Sequence, residues 1–332
     1  MSSRLAISII TPVWNGLPYL KECVASVLAQ DFQDWEHLIG DNGSTDGTWD
    51  YLKNLSDPRV RAFKHESNLG ISGNLNFLFA KANAPIAYIL CADDYFHPGG
   101  LTRVIEEWQT ADASVAFICF RQEAERSRVI EYGYSILPKR IFPDVAPLAF
   151  FLFGNFTGNI SNVTVSVLAF NSGRGFVDHL KTAQDFELWR RMTKKYEIIL
   201  TKKKVVFIRE HPGSATYHLT RTGDDYIQLL TIYEDLIEEL SKDYDRRKLI
   251  SYFNTQICPQ YYRTGLKYAL SGKVTYFKSV LGATSLILWD KWKQLLICVP
   301  LALAQNFREY LVVRRAKSFV RQSMNKSVVG DR

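Results

Sequence analysis

The first 120 residues set the strongest limit on what this chain can fold into, because β-branched apolar runs there alternate with helix-spaced segments. Residues 7–11, 35–39, 59–64, 86–91 and 115–120 read as strands. Between them, residues 17–30, 48–55, 72–82 and 101–108 have helical spacing, with Leu20, Val24, Val27 and Leu28 on one side of the first. Four successive β-α units predict a doubly wound, mainly parallel α/β sheet flanked by helices on both faces. Ligands of such sheets collect at the carboxyl ends of the strands. Here those ends read Thr11-Pro12-Val13-Trp14-Asn15, Asp41-Asn42-Gly43-Ser44-Thr45-Asp46 and Asp93-Asp94. Each is polar or acidic.

The beat stops after residue 120. Residues 121–220 hold a cluster, Phe153-Gly154-Asn155-Phe156-Thr157-Gly158-Asn159, then an expected strand at 163–170, a helix at 185–195 and a strand at 204–208. This half is expected to shape a second substrate site. From about residue 224 the chain becomes helical and basic, with amphipathic stretches at 226–240 and 246–270. The expected organisation is an α/β domain over 1–220, with halves at 1–120 and 121–220, followed by a helical basic extension over 221–332. The longest apolar candidate, 280–304, is broken by Asp290, Lys291 and Lys293 and falls short of the roughly 18 residues a spanning helix needs. Pro300 is expected to kink any helix there.

A net charge of +7 and a pI near 9.0 favour anionic partners. With no aromatic-basic platform, a nucleic-acid partner is not expected. The tail places Arg314, Arg315, Lys317 and Arg321 among Leu311, Val312, Val313 and Phe319. That pattern suits either a peripheral membrane contact or a helical contact, including a homo-oligomer. The five cysteines are scattered and form no C-x-x-C pair, which suits a reducing, cytoplasmic setting. The amino-terminal apolar run is short, lacks a cleavage site and is expected to be a strand. No G-x-G-x-x-G, P-loop or H-E-x-x-H motif occurs, which argues against nicotinamide, NTPase and zincin chemistry.

Four segments carry candidate chemistry. Asp41-Asn42-Gly43-Ser44 reads as a turn with a positive φ and a helix cap, or as a site where Asp41 accepts hydrogen bonds from a base. Adjacent Asp93 and Asp94 repel unless solvated or neutralised. A hard divalent cation, Mg²⁺ or Mn²⁺, shared with a diphosphate is the natural neutraliser. Asp185 opens a helix, where the dipole stabilises an acid, or where the acid serves as a general base. Arg209 and His211 sit in a Gly-Ser loop after a strand, where a basic pair could close over phosphates.

Taken in order, these segments resemble the family 2 glycosyltransferases of GT-A fold, bacterial surface-polysaccharide type, over residues 6 to about 216. The resemblance rests on Ile7 through Asn15, Asp41 through Thr48, Asn68-Leu69-Gly70-Ile71-Ser72-Gly73-Asn74, Asp93-Asp94, and Gln184-Asp185-Phe186-Glu187-Leu188-Trp189. It implies that Pro12, Val13 and Asn15 line the nucleotide pocket and that Asp41 meets the base. It implies that Asn68 and Gly70 flank the donor, and that Asp93 and Asp94 hold the metal and diphosphate. Asp185 would deprotonate the acceptor, and Arg209 and His211 would approach the diphosphate or metal. Three positions depart from the family pattern: Cys91 and Gln184 stand where acids are common, and Gly73 where a basic residue is common.

The expected function is inverting transfer from a nucleotide-diphosphate sugar, with a UDP-sugar favoured, to a glycan or lipid-linked acceptor. The alternative is a non-catalytic nucleotide-sugar binder or scaffold, which Cys91 favours and the retained Asp93, Asp94 and Asp185 oppose. The sugar, the acceptor and the linkage are not encoded in any segment above.

Overall fold

The computed structural model describes residues 5–121, 128–211, 223–304, 312 and 315–316. Of the tail residues named above, Leu311, Val313, Arg314, Lys317, Phe319 and Arg321 lie outside the described residues, as does the Gly213-Ser214 part of the late loop.

In chain order the elements begin β1 (Ile7–Val13), α1 (Leu17–Leu28), β2 (Trp35–Asp41), α2 (Thr48–Leu52), β3 (Val60–Lys64), α3 (Gly70–Phe79), β4 (Ile86–Ile89), β5 (Tyr95–Phe96), α4 (Gly100–Gln109) and β6 (Val115–Cys119). They continue with α5 (Arg128–Ile136), β7 (Arg140–Ile141), α6 (Ala146–Phe153), β8 (Val163–Ser166), α7 (Val167–Ser172), α8 (Gln184–Met192), β9 (Glu197–Leu200) and β10 (Val206–Phe207). The remaining helices are α9 (Asp224–Leu240), α10 (Arg246–Tyr252), α11 (Cys258–Leu270), α12 (Thr275–Gly282) and α13 (Lys291–Leu303).

Contacts divide the chain into two compact units. The first, 1–125, 138–146 and 155–211, holds an eight-stranded sheet in the order β3-β2-β1-β4-β8-β6-β9-β7. β1 pairs in parallel with β2 on one side and β4 on the other, so Ile9 faces both His37 and Tyr88. The direction of winding reverses there, which opens a crevice at the carboxyl edge. β8 runs antiparallel to both β4 and β6, and β7 antiparallel to β9. Every residue of β2 and β6 is buried, as the apolar runs require of strands covered on both faces. One face packs Trp35, Tyr88 and Ile118 against Leu101 and Val104 of α4. Another cluster joins Val13, Ile39 and Leu52 to Leu20 and Val24 of α1. α3 crosses β2 closely: a Cβ on Gly40 would lie 2.1 Å from Asn74 Oδ1, so only glycine fits.

Two sequence expectations need correction. The apolar run at 163–170 is not one strand. Ser166 caps a new helix, its hydroxyl accepting from the Ala169 N–H at 3.3 Å, and β8 ends there. The strand expected at 204–208 shrinks to Val206–Phe207, and its partner is β5, in a separate two-stranded sheet.

The second unit comprises 126–137, 147–154 and 212–332, so it takes in α5 and most of α6 besides the C-terminal helices. Phe151 of α6 packs against Tyr233 and Tyr252, with ring centroids 5.9 and 5.4 Å apart. Asn254 ties the end of this unit together, donating to Ile287 O at 2.6 Å and accepting from the Trp289 N–H at 3.1 Å. α13 runs through Pro300. Among the described residues no helix is long and apolar enough to cross a membrane.

Candidate active site

The two edges of the parallel strands treat buried acids differently. At the amino edge, Glu36 is 3% exposed and fully bonded. Ser8 Oγ, the Asn83 N–H and Nδ2, and Arg61 all donate to it, at 2.6 to 2.9 Å. Burial alone would raise its pKa, but these donors hold it below the usual glutamate range. At the carboxyl edge, Asp41 and Asp94 are 0% and 2% exposed, and one oxygen of each has no partner. A buried carboxylate left half-bonded costs free energy, and such costs persist where a ligand supplies what is missing.

Asp41 closes its own turn. Its Oδ1 accepts from the Ser44 N–H at 3.0 Å, and Gly43 takes φ +76°. Ser44 Oγ accepts from the Asn15 N–H at 2.8 Å, and Asn15 Oδ1 accepts from the Thr45 N–H at 2.8 Å. Asn15 itself sits in the left-handed region at φ 49°, which asparagine tolerates. Pro12 and Val13 pair with Gly40 and Asp41, so all four are neighbours at the switch point. The next loop joins through Asn42, whose Nδ2 donates to Asn68 Oδ1 at 2.8 Å and to Gly70 O at 3.1 Å. Gly70 opens α3 with φ +72°. A groove of about 500 Å³ lined by Gly43, Ser44, Lys64, His65 and Glu66 opens beside this turn.

Asp93 and Asp94 lie in a turn between β4 and β5, rather than at the end of a strand. The β5–β10 pairing sets Phe207 opposite Tyr95 and so delivers Arg209 and His211 to the aspartates. The Arg209 N–H donates to Asp94 Oδ1 at 2.9 Å, and its Nε donates to Asp93 O at 3.0 Å. Its guanidinium also pairs with Glu22 of α1 and lies near the rings of Tyr19 and Tyr95, 5.1 and 5.4 Å from their centroids. His211 Nε2 is 2.9 Å from Asp93 Oδ2. Burial, reinforced by the neighbouring Asp93 charge, pushes the Asp94 carboxyl up to about 7.

Cys91 belongs to the same cluster. Its Sγ and one carboxylate oxygen each of Asp93 and Asp94 all lie within 4.8 Å of one another. Two carboxylates, one with a buried unpartnered oxygen, are a donor set that fits a hard divalent cation.

Asp185 is the second residue of α8. Its Oδ2 accepts from Asn155 Nδ2 at 2.7 Å and its Oδ1 from the Phe186 N–H at 2.8 Å. Burial raises its pKa against those two bonds. Asn155 begins a loop that ends at Ser161. Ser161 Oγ accepts from the Cys91 N–H at 3.0 Å, and its carbonyl accepts from Tyr88 OH. One short loop therefore holds Asp185 at one end and the Cys91–Asp94 turn at the other.

The structure thus gathers Asp93, Asp94, Arg209 and His211 into one knot, and Pro12, Val13, Asn15 and Asp41 into another. Asn68 and Gly70 join the second through Asn42. Asp185 bonds to neither knot directly. Sequence reasoning missed Asn155, Ser161, Glu22 and Tyr19 as parts of the site. Asn155 stood in the Asn-Gly cluster at 153–159, whereas Ser161 carried no signal.

A parallel half-sheet with acids at its switch point, a turn of adjacent aspartates and an Arg-x-His segment just after β10 belong to a GT-A fold. The chain superimposes on S. aureus TarS 1–349 in complex with UDP-GlcNAc with a TM-score of 0.60 at 15% identity, covering 96% of this chain and 92% of that one. It matches the mannosyltransferase PcManGT from Pyrobaculum calidifontis, in complex with GDP-Man and Mn²⁺, with a TM-score of 0.55 at 17% identity, covering 96% and 87%. Residues 8–160, a little under half of the chain, match the family described as Glycosyl transferase family 2. It is 24% identical over 274 residues to a Campylobacter jejuni protein named GalNAc(5)-diNAcBac-PP-undecaprenol beta-1,3-glucosyltransferase, covering 80% of this chain and 84% of that one. Coverage of the curated relatives varies, from 32% of the length of one to 84% of another.

Proposed function

We propose that this protein transfers a sugar, with inversion, from a nucleotide-diphosphate sugar to a hydroxyl of a glycan or lipid-linked acceptor. The observation that carries the reading is the loop from Asn155 to Ser161, which ties a half-buried acid to the aspartate turn. The neighbours solved with UDP-GlcNAc and GDP-Man support a nucleotide-sugar donor, with a UDP-sugar favoured. The relative whose name specifies an undecaprenol-PP glycan supports a lipid-linked acceptor.

In this reading Pro12, Val13, Asn15 and Asp41 receive the nucleoside, and Asn68 and Gly70 border the donor. Asp93, Asp94 and His211 would hold Mg²⁺ or Mn²⁺, which when bound supplies positive charge to the departing nucleoside diphosphate. Arg209 is already folded over Asp93 and adds a fixed guanidinium on the same side. Asp185 takes the acceptor proton as the hydroxyl oxygen attacks the anomeric carbon. Its raised pKa makes it a stronger base than a solvated aspartate, and one base suffices for a single displacement. The deciding experiment is a panel of uridine, thymidine and guanosine diphosphate sugars with polyprenyl-linked glycan acceptors, read by nucleotide release and by the anomeric configuration of the product. An inverted linkage lost on chelation is expected. A retained linkage, or turnover indifferent to chelator, would overturn the assignment.

A further inference from the structure

The second unit carries an apolar face that sugar transfer does not use. On α13 the buried side is Gln294, Cys298 and Ala302. The opposite side is apolar and open: Trp292, Leu296 and Leu303 are 77%, 76% and 75% exposed. With Val299 they recur at intervals of four, three and four residues, so they lie in one row along the helix. Single exposed apolar residues are ordinary, but a contiguous row with a tryptophan marks a contact surface.

Charge says what the surface meets. Lys291 and Lys293, both exposed, project about 100° to either side of Trp292, since each residue turns the helix by that angle. Lys293 Nζ stands 4.3 Å from the centre of the Trp289 ring. An apolar stripe bordered by lysines, on a helix about 20 Å long, suits lying in a membrane interface and is too short for crossing it. From residue 291 to the end the sequence holds nine Lys and Arg against two Asp and Glu. A second copy docked on this face would bring like charges together.

We propose that α13 docks in the plane of an anionic phospholipid bilayer, seating Trp292, Leu296, Val299 and Leu303 among the acyl chains and Lys291 and Lys293 among the headgroups. None of these residues belongs to the unit that holds Asp185 and the aspartate turn, so the proposal stands or falls apart from the transfer reaction.

The test is co-sedimentation of the full chain with phosphatidylcholine vesicles, with and without phosphatidylglycerol. Binding should require phosphatidylglycerol and weaken as salt rises. Leu296→Glu should weaken it more than about tenfold. Lys291→Glu with Lys293→Glu should weaken it by at least roughly fivefold per position at low salt. These side chains are exposed, so circular dichroism melting should be unchanged. Brominated lipid should quench tryptophan emission less in Trp292→Phe than in the parent chain. No binding at low salt, or equal binding by Leu296→Glu, overturns the proposal. A dimer that Leu296→Glu dissociates without change in vesicle binding would instead assign the stripe to a second copy.

Discussion

His211 Nε2 lies 2.9 Å from Asp93 Oδ2, although 118 positions separate them in sequence. The Phe207–Tyr95 pair closes that span and makes the contact a property of the fold. If the pair belongs to a cation site, removing the imidazole should act through metal affinity. His211→Ala is expected to raise the Mn²⁺ concentration for half-maximal turnover by about 10- to 100-fold, with the rate at saturating metal falling less. Metal titration of nucleotide release reads both quantities. A lower rate with unchanged metal dependence would place His211 on the donor instead.

Asp94 should cost stability in the metal-free protein. Burial raises its pKa to about 7, from an unfolded value near 3.8. Between those values the folded state binds more protons than the unfolded state, so stability falls as pH rises and the loss is complete above about 7. Asp94→Asn keeps the shape and removes the buried charge. It should melt several degrees higher than the parent at pH 8, show little difference at pH 4, and lose metal-dependent transfer. Melting curves of the metal-free proteins at both pH values check the sign.

If Asp185 is the base, Asn155 positions it, and the pair has a distinct pH signature. Burial raises the Asp185 pKa, and the Asn155 bond opposes it. Asn155→Ala removes the opposing bond, so the acid limb of kcat/KM should move to higher pH. Asp185→Asn should lower transfer by about 10²- to 10⁴-fold while leaving nucleotide affinity within a few-fold. An Asp185→Asn enzyme near parental rate removes the base assignment. An Asn155→Ala enzyme that is slower at every pH, with an unmoved limb, would give Asn155 only a structural role.

Legibility in the sequence followed the range of the interactions. β1, β2, β4 and β6 were visible because strands buried on both faces must be apolar along their length. The acids at their carboxyl ends were visible for the converse reason, since a carboxylate ending such a run needs an explanation. β10 was legible as part of the 204–208 run, but β5 is two residues long and pairs with it across 110 positions, so no periodicity could reveal β5 or the pairing. Val167 and Leu168 continue the apolar run of β8, and only the Ser166 cap shows that the chain has turned into a helix. α5 and α6 join the C-terminal helices in space, which local composition did not indicate. Ser161 acts through its hydroxyl on a backbone N–H 70 positions away, a role that serine shares with any solvated surface residue in sequence alone.

Glu36 offers a stability test away from the reaction. Its donors come from β1, β3 and the 81–84 turn, so it pins three segments at the amino edge. Glu36→Ala leaves the buried Ser8 hydroxyl without its acceptor, breaks the bonds from Asn83 and Arg61, and should cost about 3 kcal/mol. Because its folded pKa is depressed, the contribution is present above about 4.5 and is lost as pH falls through the folded value. The parent and Glu36→Ala stability curves, from denaturant titration, should therefore converge toward low pH. A constant gap from pH 7 to pH 3 would assign the loss to packing rather than charge.

If the aspartate turn holds a cation, Cys91 bears on which cation it selects. Its sulfur lies within 4.8 Å of the Asp93 and Asp94 oxygens, and burial, with Asp94 next to it, raises the thiol pKa well above the ordinary range. The thiol therefore stays protonated at neutral pH unless a cation draws the proton off. A sulfur donor favours softer ions, so the parent enzyme should work better with Mn²⁺ than with Mg²⁺. Cys91→Asp replaces the sulfur with a hard oxygen and should shift the ratio of Mg²⁺-supported to Mn²⁺-supported rate upward by about tenfold. Cys91→Ala should tighten no metal and should weaken Cd²⁺ binding in particular. Cd²⁺ competition against Mn²⁺ measures this directly, through the sulfur-to-metal absorption band. Equal ratios and equal Cd²⁺ affinity in parent and Cys91→Ala would show that the sulfur stands beside the cation without touching it.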